Sequence, residues 1–123
     1  MLALNALNAF AGYYEEAEEA YKNKDFSTAL TKYRIAAEQG NSMANIKIGI
    51  LYDSGLGVQQ DFSVAMLYYK TAARQGHVLG FLFVSAMYEN GQGVSKDLVA
   101  ANRWKQLAAA CKEKNSKNCL ILE

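Results

Sequence analysis

The sequence repeats itself with a period of 36 residues, and this period limits the fold more than any other feature of the chain. Nine of the sixteen residues in the segment 25–40 are identical to those at the same places in 61–76. Unrelated segments of that length would share about one. The same shift aligns 52–73 with 88–109, so the unit occurs a third time. Such periodicity is typical of arrays in which each repeat packs on the next.

Each unit has the signals of a helix that begins and ends at fixed places. Asp25, Asp61 and Asp97 stand just before runs of periodic apolar residues, where a short side-chain oxygen can accept from the free amides of a first helical turn. Gly40 and Gly76 follow the ends of those runs, where glycine can adopt the left-handed conformation that closes a helix. We therefore expect Asp N-caps and glycine-terminated helices.

Two glycine loops divide the later units into helix pairs. The Gly-x-Gly-Val motifs at 55–58 and 91–94 lie between the first and the second helix of a unit, and their glycines allow a sharp reversal of the chain. Pairs of alanines at matched sites suit close approach of neighbouring helices. Proline, which disrupts helices, is absent. The sequence thus predicts an all-α fold of about three helix-turn-helix repeats. The alanines are Ala36, Ala37, Ala72, Ala73, Ala108 and Ala109.

The length of 123 residues fits one domain spanning 1–123. Its units are expected at about 8–40, 41–76 and 77–111, followed by a short C-terminal cap at 112–123. Thirteen Lys and Arg stand against twelve Asp and Glu, so the sequence lacks the electrostatic signature of a nucleic-acid-binding protein. No apolar stretch approaches the length of roughly 20 residues that spans a bilayer.

Two segments resemble the Sel-one-like repeat, a relative of the tetratricopeptide repeat. The first runs from Ile48-Gly49-Ile50-Leu51-Tyr52 through the glycine loop to Gly76, and the second covers 84–109 with Trp104 at a common aromatic position. Ser85 stands where the family usually has glycine. The first unit lacks the Gly-x-Gly-Val insertion between 20 and 26 and looks more like a tetratricopeptide unit.

The resemblance implies a right-handed α–α superhelix, or solenoid, and a scaffold role in protein–protein interaction, in a protein of bacterial type. We therefore expect another protein or peptide as the partner. The concave positions of the family fall on an aliphatic middle with an acidic border, which suits a protein-binding groove. These candidate partner-binding residues are Glu15, Glu19, Met43, Ile46, Ile50, Asp53, Leu79, Leu82 and Glu89.

The alternative is that the chain covers these aliphatic residues itself. Leu2, Leu4, Leu7, Ile121 and Leu122 could fold over them as caps. The segment 77–84 is apolar nearly all round and needs cover on both sides. Three candidates could cover it, and the sequence leaves them open. They are the segment 119–122, the partner, and a second copy of the chain in a homodimer through the helix at 77–88.

The sequence offers little material for catalysis. His77 is the only histidine, and it opens a helix, which favours a surface or capping role over a catalytic one. We expect no catalytic residue, no metal site and no cofactor. The acidic run 15–19 could attract a basic partner or a divalent cation, although charged helix faces are more often simply solvated.

Cys111 and Cys119 are the only cysteines. Their spacing and place resemble those of cysteine-rich Sel-one-like proteins, in which cysteines eight apart form a disulfide at the junction of two units. The resemblance implies a bridge between them and an oxidising compartment, which favours a periplasmic or secreted protein over a cytoplasmic one. Two unrelated thiols in a cytosolic protein are the alternative.

The expected function is therefore a scaffold that holds a segment of another protein in its concave groove. Two alternatives remain. A toxin-neutralising immunity-type protein would use the acidic border against a basic active-site cleft. Some cysteine-rich relatives have been associated with penicillin binding or β-lactamase-like activity, but this chain has no evident Ser-x-x-Lys motif.

Overall fold

The computed structural model of this chain describes the backbone of residues 2–113 and the side chains of residues 12–113. Every regular element in that range is an α-helix, which confirms the predicted all-α class. The helices are α1 (Leu2–Lys22), α2 (Phe26–Glu38), α3 (Ser42–Ser54), α4 (Phe62–Arg74), α5 (Val78–Asn90) and α6 (Leu98–Glu113).

The three repeated aspartates cap the second helix of each pair. Each carboxylate accepts a hydrogen bond from the backbone amide three residues later, which satisfies a donor that has no partner within the helix. These bonds confirm the predicted N-caps. They join Asp25 to Thr28 N at 3.3 Å, Asp61 to Val64 N at 3.1 Å and Asp97 to Ala100 N at 3.0 Å.

Glycines in the left-handed region end the helices as predicted. After α2, Gly40 has a φ of +91°, and the amides of Gly40 and Asn41 donate to the carbonyls of Ala37 and Ala36 at 2.9 and 3.1 Å. This pattern closes the helix by a pair of reverse bonds that use its last free carbonyls. Gly76 has a φ of +84° and ends α4 with equivalent bonds.

The second glycine of each Gly-x-Gly-Val loop lies against the preceding unit. Gly57 and Gly93 have φ values of +70° and +71°. A Cβ on Gly57 would lie 2.6 Å from the carbonyl carbon of Phe26, and one on Gly93 would lie 2.6 Å from the carbonyl oxygen of Phe62. Both the left-handed backbone and the lack of space require glycine. The loops thus reverse the chain and also contact the start of the preceding second helix.

The helices pair in chain order as α1–α2, α3–α4 and α5–α6, and α2 packs on α3 as α4 packs on α5. Two apolar clusters form a core along this stack. One joins α1, α2 and α3 around Tyr33 and Leu51, and the other joins α3 to α6 around Tyr69, Phe81 and Trp104. Each unit therefore buries its apolar face against its neighbours, as expected of a repeat array.

Of the helices at 2–113, none is both long and apolar enough to cross a membrane.

Candidate functional site

The first helices of the three pairs, α1, α3 and α5, carry all nine predicted partner-binding residues. We call the accessible side of these helices the first-helix surface. The exposed residues are Glu15, Glu19, Leu79, Leu82 and Glu89, and the half-buried ones are Met43, Ile50 and Asp53. Eight of the nine side chains can therefore be reached from solvent.

Ile46 is the exception: it was predicted as a partner-binding residue, but the structure places it in the core. Only 1% of this residue is exposed, because it lies in the core cluster that joins α3 to α4 and α5. The matched position on α5 is Leu82, which is 42% exposed. The 36-residue shift correctly paired the two positions but did not predict their different surroundings.

Two of the predicted acidic residues have partners within the chain. The hydroxyl of Tyr69 donates to Asp53 Oδ2 at 3.2 Å, so Asp53 holds a core side chain in place. Burial, and then the charge of Asp53, raise the pKa of Tyr69 well above its ordinary value, so the hydroxyl stays a neutral donor. Glu89 lies 3.5 Å from Lys105 Nζ. This pair is largely exposed and contributes little to stability.

An open pocket of about 630 Å³ lies between α1 and α3 on the first-helix surface. It combines three carboxylates, two lysines and two phenol rings. The residues that line it are Tyr14, Glu15, Glu18, Glu19, Tyr21, Lys22 and Lys47. Glu15 and Glu19 were predicted partner-binding residues, and the structure brings them together here.

Glu18 is the best-anchored acid of this pocket. It accepts a hydrogen bond from the hydroxyl of Tyr33, and Lys47 Nζ lies 3.1 Å from its Oε1. Burial opposes ionisation, but the bonds from Tyr33 and Lys47 outweigh it and hold the pKa of Glu18 below its ordinary value. Burial and the charge of Glu18 raise the pKa of Tyr14 to about 12. The pocket therefore holds a fixed carboxylate beside a neutral phenol.

Of the lining residues, sequence reasoning did not single out Tyr14, Tyr21 and Lys47, and it named Glu18 only as part of the acidic run 15–19. A partial signal was present, because residues three and four apart share a helix face, and Tyr14, Glu18 and Tyr21 have this spacing. Lys47 had no such signal, since it comes from another helix 29 residues along the chain.

The structure confirms a capping role for His77. Its side chain is the N-cap of α5, and its Nδ1 accepts from the amide of Leu79 at 3.2 Å. Burial lowers the pKa of this imidazole, which keeps it neutral and able to accept.

Cys111 is buried at the end of α6, and its Sγ lies 3.5 Å from the carbonyl oxygen of Gly76. Cys119 lies outside the described residues. The Cys111–Cys119 bridge therefore stays a prediction, as does the oxidising compartment inferred from it.

The apolar helix α5 is covered on one side only within residues 12–113. Phe81, Val84 and Met87 are buried in the core cluster, while Leu79 and Leu82 are exposed. The segment 119–122 and the side chains of Leu2, Leu4 and Leu7 lie outside the described set, so their predicted capping is untested. Homodimerisation through 77–88 also stays a prediction.

The family profile of the Sel1 repeat matches residues 13–41, 42–77 and 79–112. The first of these covers the unit that looked more like a tetratricopeptide repeat, so the lack of a Gly-x-Gly-Val loop does not remove it from the array. A search of curated proteins gave no match.

Two solved structures are similar to this chain. A Sel1 repeat protein from Oxalobacter formigenes is 34% identical, with a TM-score of 0.71 over 82% of this chain and 44% of that one. The second is c5321, a protective antigen of uropathogenic Escherichia coli with an SLR fold. It is 26% identical, with a TM-score of 0.75 over 86% of this chain and 23% of that one. This chain spans less than half of either relative.

These likenesses confirm the predicted right-handed α–α solenoid. The profile covers most of the chain in three consecutive copies, and the Oxalobacter protein shares more than 30% of its residues over most of the chain. The six helices within residues 2–113 stack in the order that such copies require. The chain therefore belongs to the Sel1 repeat family.

Proposed function

We propose that this chain is a protein-interaction module whose first-helix surface binds an amphipathic segment of another protein. Sel1 repeat proteins generally act as protein–protein interaction scaffolds, and the family is typically non-enzymatic. The proposal adds the location of the binding surface and the character of the segment that it binds.

One observation carries the proposal: Leu79 and Leu82 are exposed on α5. They lie three residues apart, so they share one face of the helix. Burial of two leucines on binding would contribute a few kcal/mol to affinity, at about 25 cal/mol per Å² of apolar area. Interfaces are usually built in this way, with an apolar centre and a polar border.

The neighbouring residues extend this patch along the stack. Met43 and Ile50 on α3 are half-buried and pack against the core cluster, which restricts the movement of their side chains. Glu89 lies at the α5 end of the surface, and Glu15 and Glu19 are exposed on α1. A bound segment with a basic residue over α1 and apolar residues over α3 and α5 would match this order of side chains, because Glu89 already lies beside Lys105.

The experiment compares the same substitution on the two sides of the stack. Leu82→Asp and Leu79→Asp place a carboxylate in the proposed contact. Leu67→Asp makes the same change on α4, a second helix, where Leu67 is 62% exposed. Proteins captured from a native extract by all three variants and by the wild type are identified by mass spectrometry, and the affinity of each candidate is then measured by calorimetry.

We expect a partner that binds the wild type and Leu67→Asp with equal affinity and binds Leu82→Asp roughly 100-fold or more weakly, because a desolvated carboxylate costs several kcal/mol. Circular dichroism should show unchanged helicity in all variants. A partner lost only from Leu67→Asp would place the site on the second helices. A wild-type dimer that Leu82→Asp turns into a monomer would show that the surface is a self-interface. Either result would contradict the proposal.

A further inference from the structure

The pocket between α1 and α3 has a chemistry of its own. We propose that it receives a basic side chain, arginine in preference to lysine, from the segment that lies on the first-helix surface. The inference rests on the proposed function, and it adds a defined anchor to it. Three observations support it: an internal ammonium group already held at the edge of the pocket, two carboxylates without a basic partner among residues 12–113, and two phenol rings in the lining.

The internal ammonium group is Lys47. Its Nζ lies 3.1 Å from Glu18 Oε1 and 5.4 Å from the centroid of the Tyr21 ring. A carboxylate and an aromatic face together stabilise a cation more than either alone, because the ring adds its quadrupole to the charge. The pocket therefore already binds one cation of this chain through a carboxylate and an aromatic ring, the same kinds of group that would bind a cation of the partner.

Lys47 uses only part of the acidic lining. Glu15 and Glu19 are exposed and line the same pocket. Neither forms an ion pair among residues 12–113, and Glu19 has only a 3.5 Å contact with the amide nitrogen of Asn23. The lining carries three carboxylates against the ammonium groups of Lys22 and Lys47. A third cation would balance the charge of the pocket.

Arginine fits these groups better than lysine does. A guanidinium is planar, is less strongly hydrated than an ammonium, and can pair with a carboxylate through two parallel hydrogen bonds while its face rests on a phenol ring. Glu15 and Glu19 lie four residues apart on α1, so their carboxylates are neighbours on one face of the helix. Tyr14 and Tyr21 are the aromatic residues of the lining, and the Tyr21 ring already has Lys47 Nζ at 5.4 Å from its centroid.

The position of the pocket agrees with a role as an anchor. It lies at the α1 end of the first-helix surface, whereas the exposed leucines lie on α5. A segment that crosses α1, α3 and α5 would place a basic residue at one end and apolar residues at the other. This arrangement would fix the direction in which the segment binds, since the reverse direction would bring the cation onto leucines.

The test uses Nα-acetylarginine amide as the probe and Nα-acetylcitrulline amide, its uncharged analogue of nearly the same shape, as the control. Each is titrated into the ¹⁵N-labelled full chain, and backbone amide shifts are followed by NMR. The variant Glu15→Gln/Glu19→Gln removes the negative charges of these two side chains. The matched control Glu38→Gln/Glu113→Gln makes the same change of charge at exposed residues on α2 and α6.

We expect the arginine probe to shift amides in the α1 segment 14–22 and at Lys47, and the citrulline probe to leave them unchanged. Affinity should fall about tenfold or more in Glu15→Gln/Glu19→Gln, stay the same in the matched control, and weaken as salt is raised. Equal shifts with citrulline, shifts that map elsewhere, or undiminished affinity in the pocket variant would each overturn the proposal.

This result is separable from that of the capture experiment. A chain that binds the arginine probe in the pocket, yet loses no protein partner through Leu82→Asp, would contradict the proposed function and retain the pocket. A chain that loses its partner through Leu82→Asp but ignores the arginine probe would retain the proposed function and overturn the anchor.

Discussion

The middle helix pair, α3–α4, and the last described pair, α5–α6, have closely related sequences but different surroundings. Ile46 and Leu82 are equivalent, yet the first is 1% exposed and the second 42%. Phe62 lies against Gly93 of the following loop, whereas its equivalent Leu98 is 60% exposed. The difference arises because the middle pair is followed by another unit, and no further unit follows α6 among the described residues.

The comparison shows that burial in this array depends on the neighbouring unit more than on the type of residue. A repeat cannot bury its apolar face alone, so the same position is core in the middle of the stack and surface at its end. The exposed leucines of α5 therefore have the character of core residues, and this explains why they suit an interface. The predictions below test this comparison, beginning with the largest expected effect.

The largest effect is expected from Ile46→Asp compared with Leu82→Asp. The first buries a carboxylate in the core and should lower the free energy of unfolding by roughly 4 kcal/mol or more. The second stays at the surface and should cost less than about 1 kcal/mol. Urea unfolding followed by circular dichroism measures both. If both variants lost the same free energy of unfolding, the two positions would have the same surroundings in solution. The contrast between the middle and the last pair would then be wrong.

The glycine loops should show no difference between the pairs, because both loops contact a preceding unit. Gly57→Ala and Gly93→Ala each combine a left-handed backbone with a backbone clash, so each should cost roughly 2–4 kcal/mol. The control is Gly40→Ala, which is also left-handed but has nothing within 4 Å of the added carbon, and it should cost only about 1 kcal/mol. Thermal melts rank the three. A Gly57→Ala variant as stable as Gly40→Ala would refute the contact between units.

An intermediate effect is expected where the pairs differ in sequence, at Gly49 and Ser85. A Cβ on Gly49 would lie 2.4 Å from Cε1 of Tyr69, and this ring stacks on Phe83 at 4.6 Å. Gly49→Ala should therefore cost about 1–3 kcal/mol through overpacking. Ser85 Oγ donates to the carbonyl of Ala101 at 2.7 Å, so Ser85→Ala should cost about 1 kcal/mol.

The free energies of unfolding of Gly49→Ala and Ser85→Ala are measured by urea unfolding under the same conditions. The equivalent of Tyr69 in the last pair is Lys105, which is exposed, so the bulky ring that excludes a side chain at Gly49 is missing there. This explains why serine stands at a position that is usually glycine in the family. A stabilising Gly49→Ala would show that Tyr69 can move aside, and the explanation would then be wrong.

Much of the fold was predictable because its signals are local. Each aspartate cap acts on an amide three residues away, and each terminal glycine adopts a left-handed conformation that few other residues reach. The period of 36 then repeats these signals and gives the order of the helices. Equivalent positions in successive units therefore have similar residue types, and this similarity is enough to predict an all-α array.

The candidate site was less predictable, since it depends on which helices the superhelix brings together. The acidic residues Glu15 and Glu19 could be placed on a helix face, but Lys47 reaches Glu18 from another unit. In the same way, the 36-residue shift from Ile46 to Leu82 correctly predicted an aliphatic residue at both positions but not that only Ile46 is buried. Positions within one helix follow from sequence, whereas contacts between units need the curvature of the stack.

The smallest expected effect concerns pH and the caps of the two first helices, Asn41 on α3 and His77 on α5, which are equivalent positions. Asn41 does not titrate. The cap at His77 needs a neutral Nδ1 to accept from Leu79, and burial lowers the pKa of His77 below its ordinary value of 6.5. The unfolded chain therefore takes up a proton at higher pH than the folded one. Stability is lost as pH falls below about 6.5, until the folded imidazole also binds a proton.

The loss should be below about 1 kcal/mol, the typical contribution of one cap, because His77 is only half-buried and solvent screens it. Urea unfolding at about pH 7.5 and about pH 5.5 measures it. His77→Asn should remove the difference, and Asn41→His should add a similar one in the middle pair. Glu18 does not interfere, because its pKa lies below its ordinary value of 4.5, so it titrates at lower pH. If His77→Asn lost as much stability between the two pH values as the wild type does, another group would be titrating. The caps at His77 and Asn41 would then not differ in their response to pH.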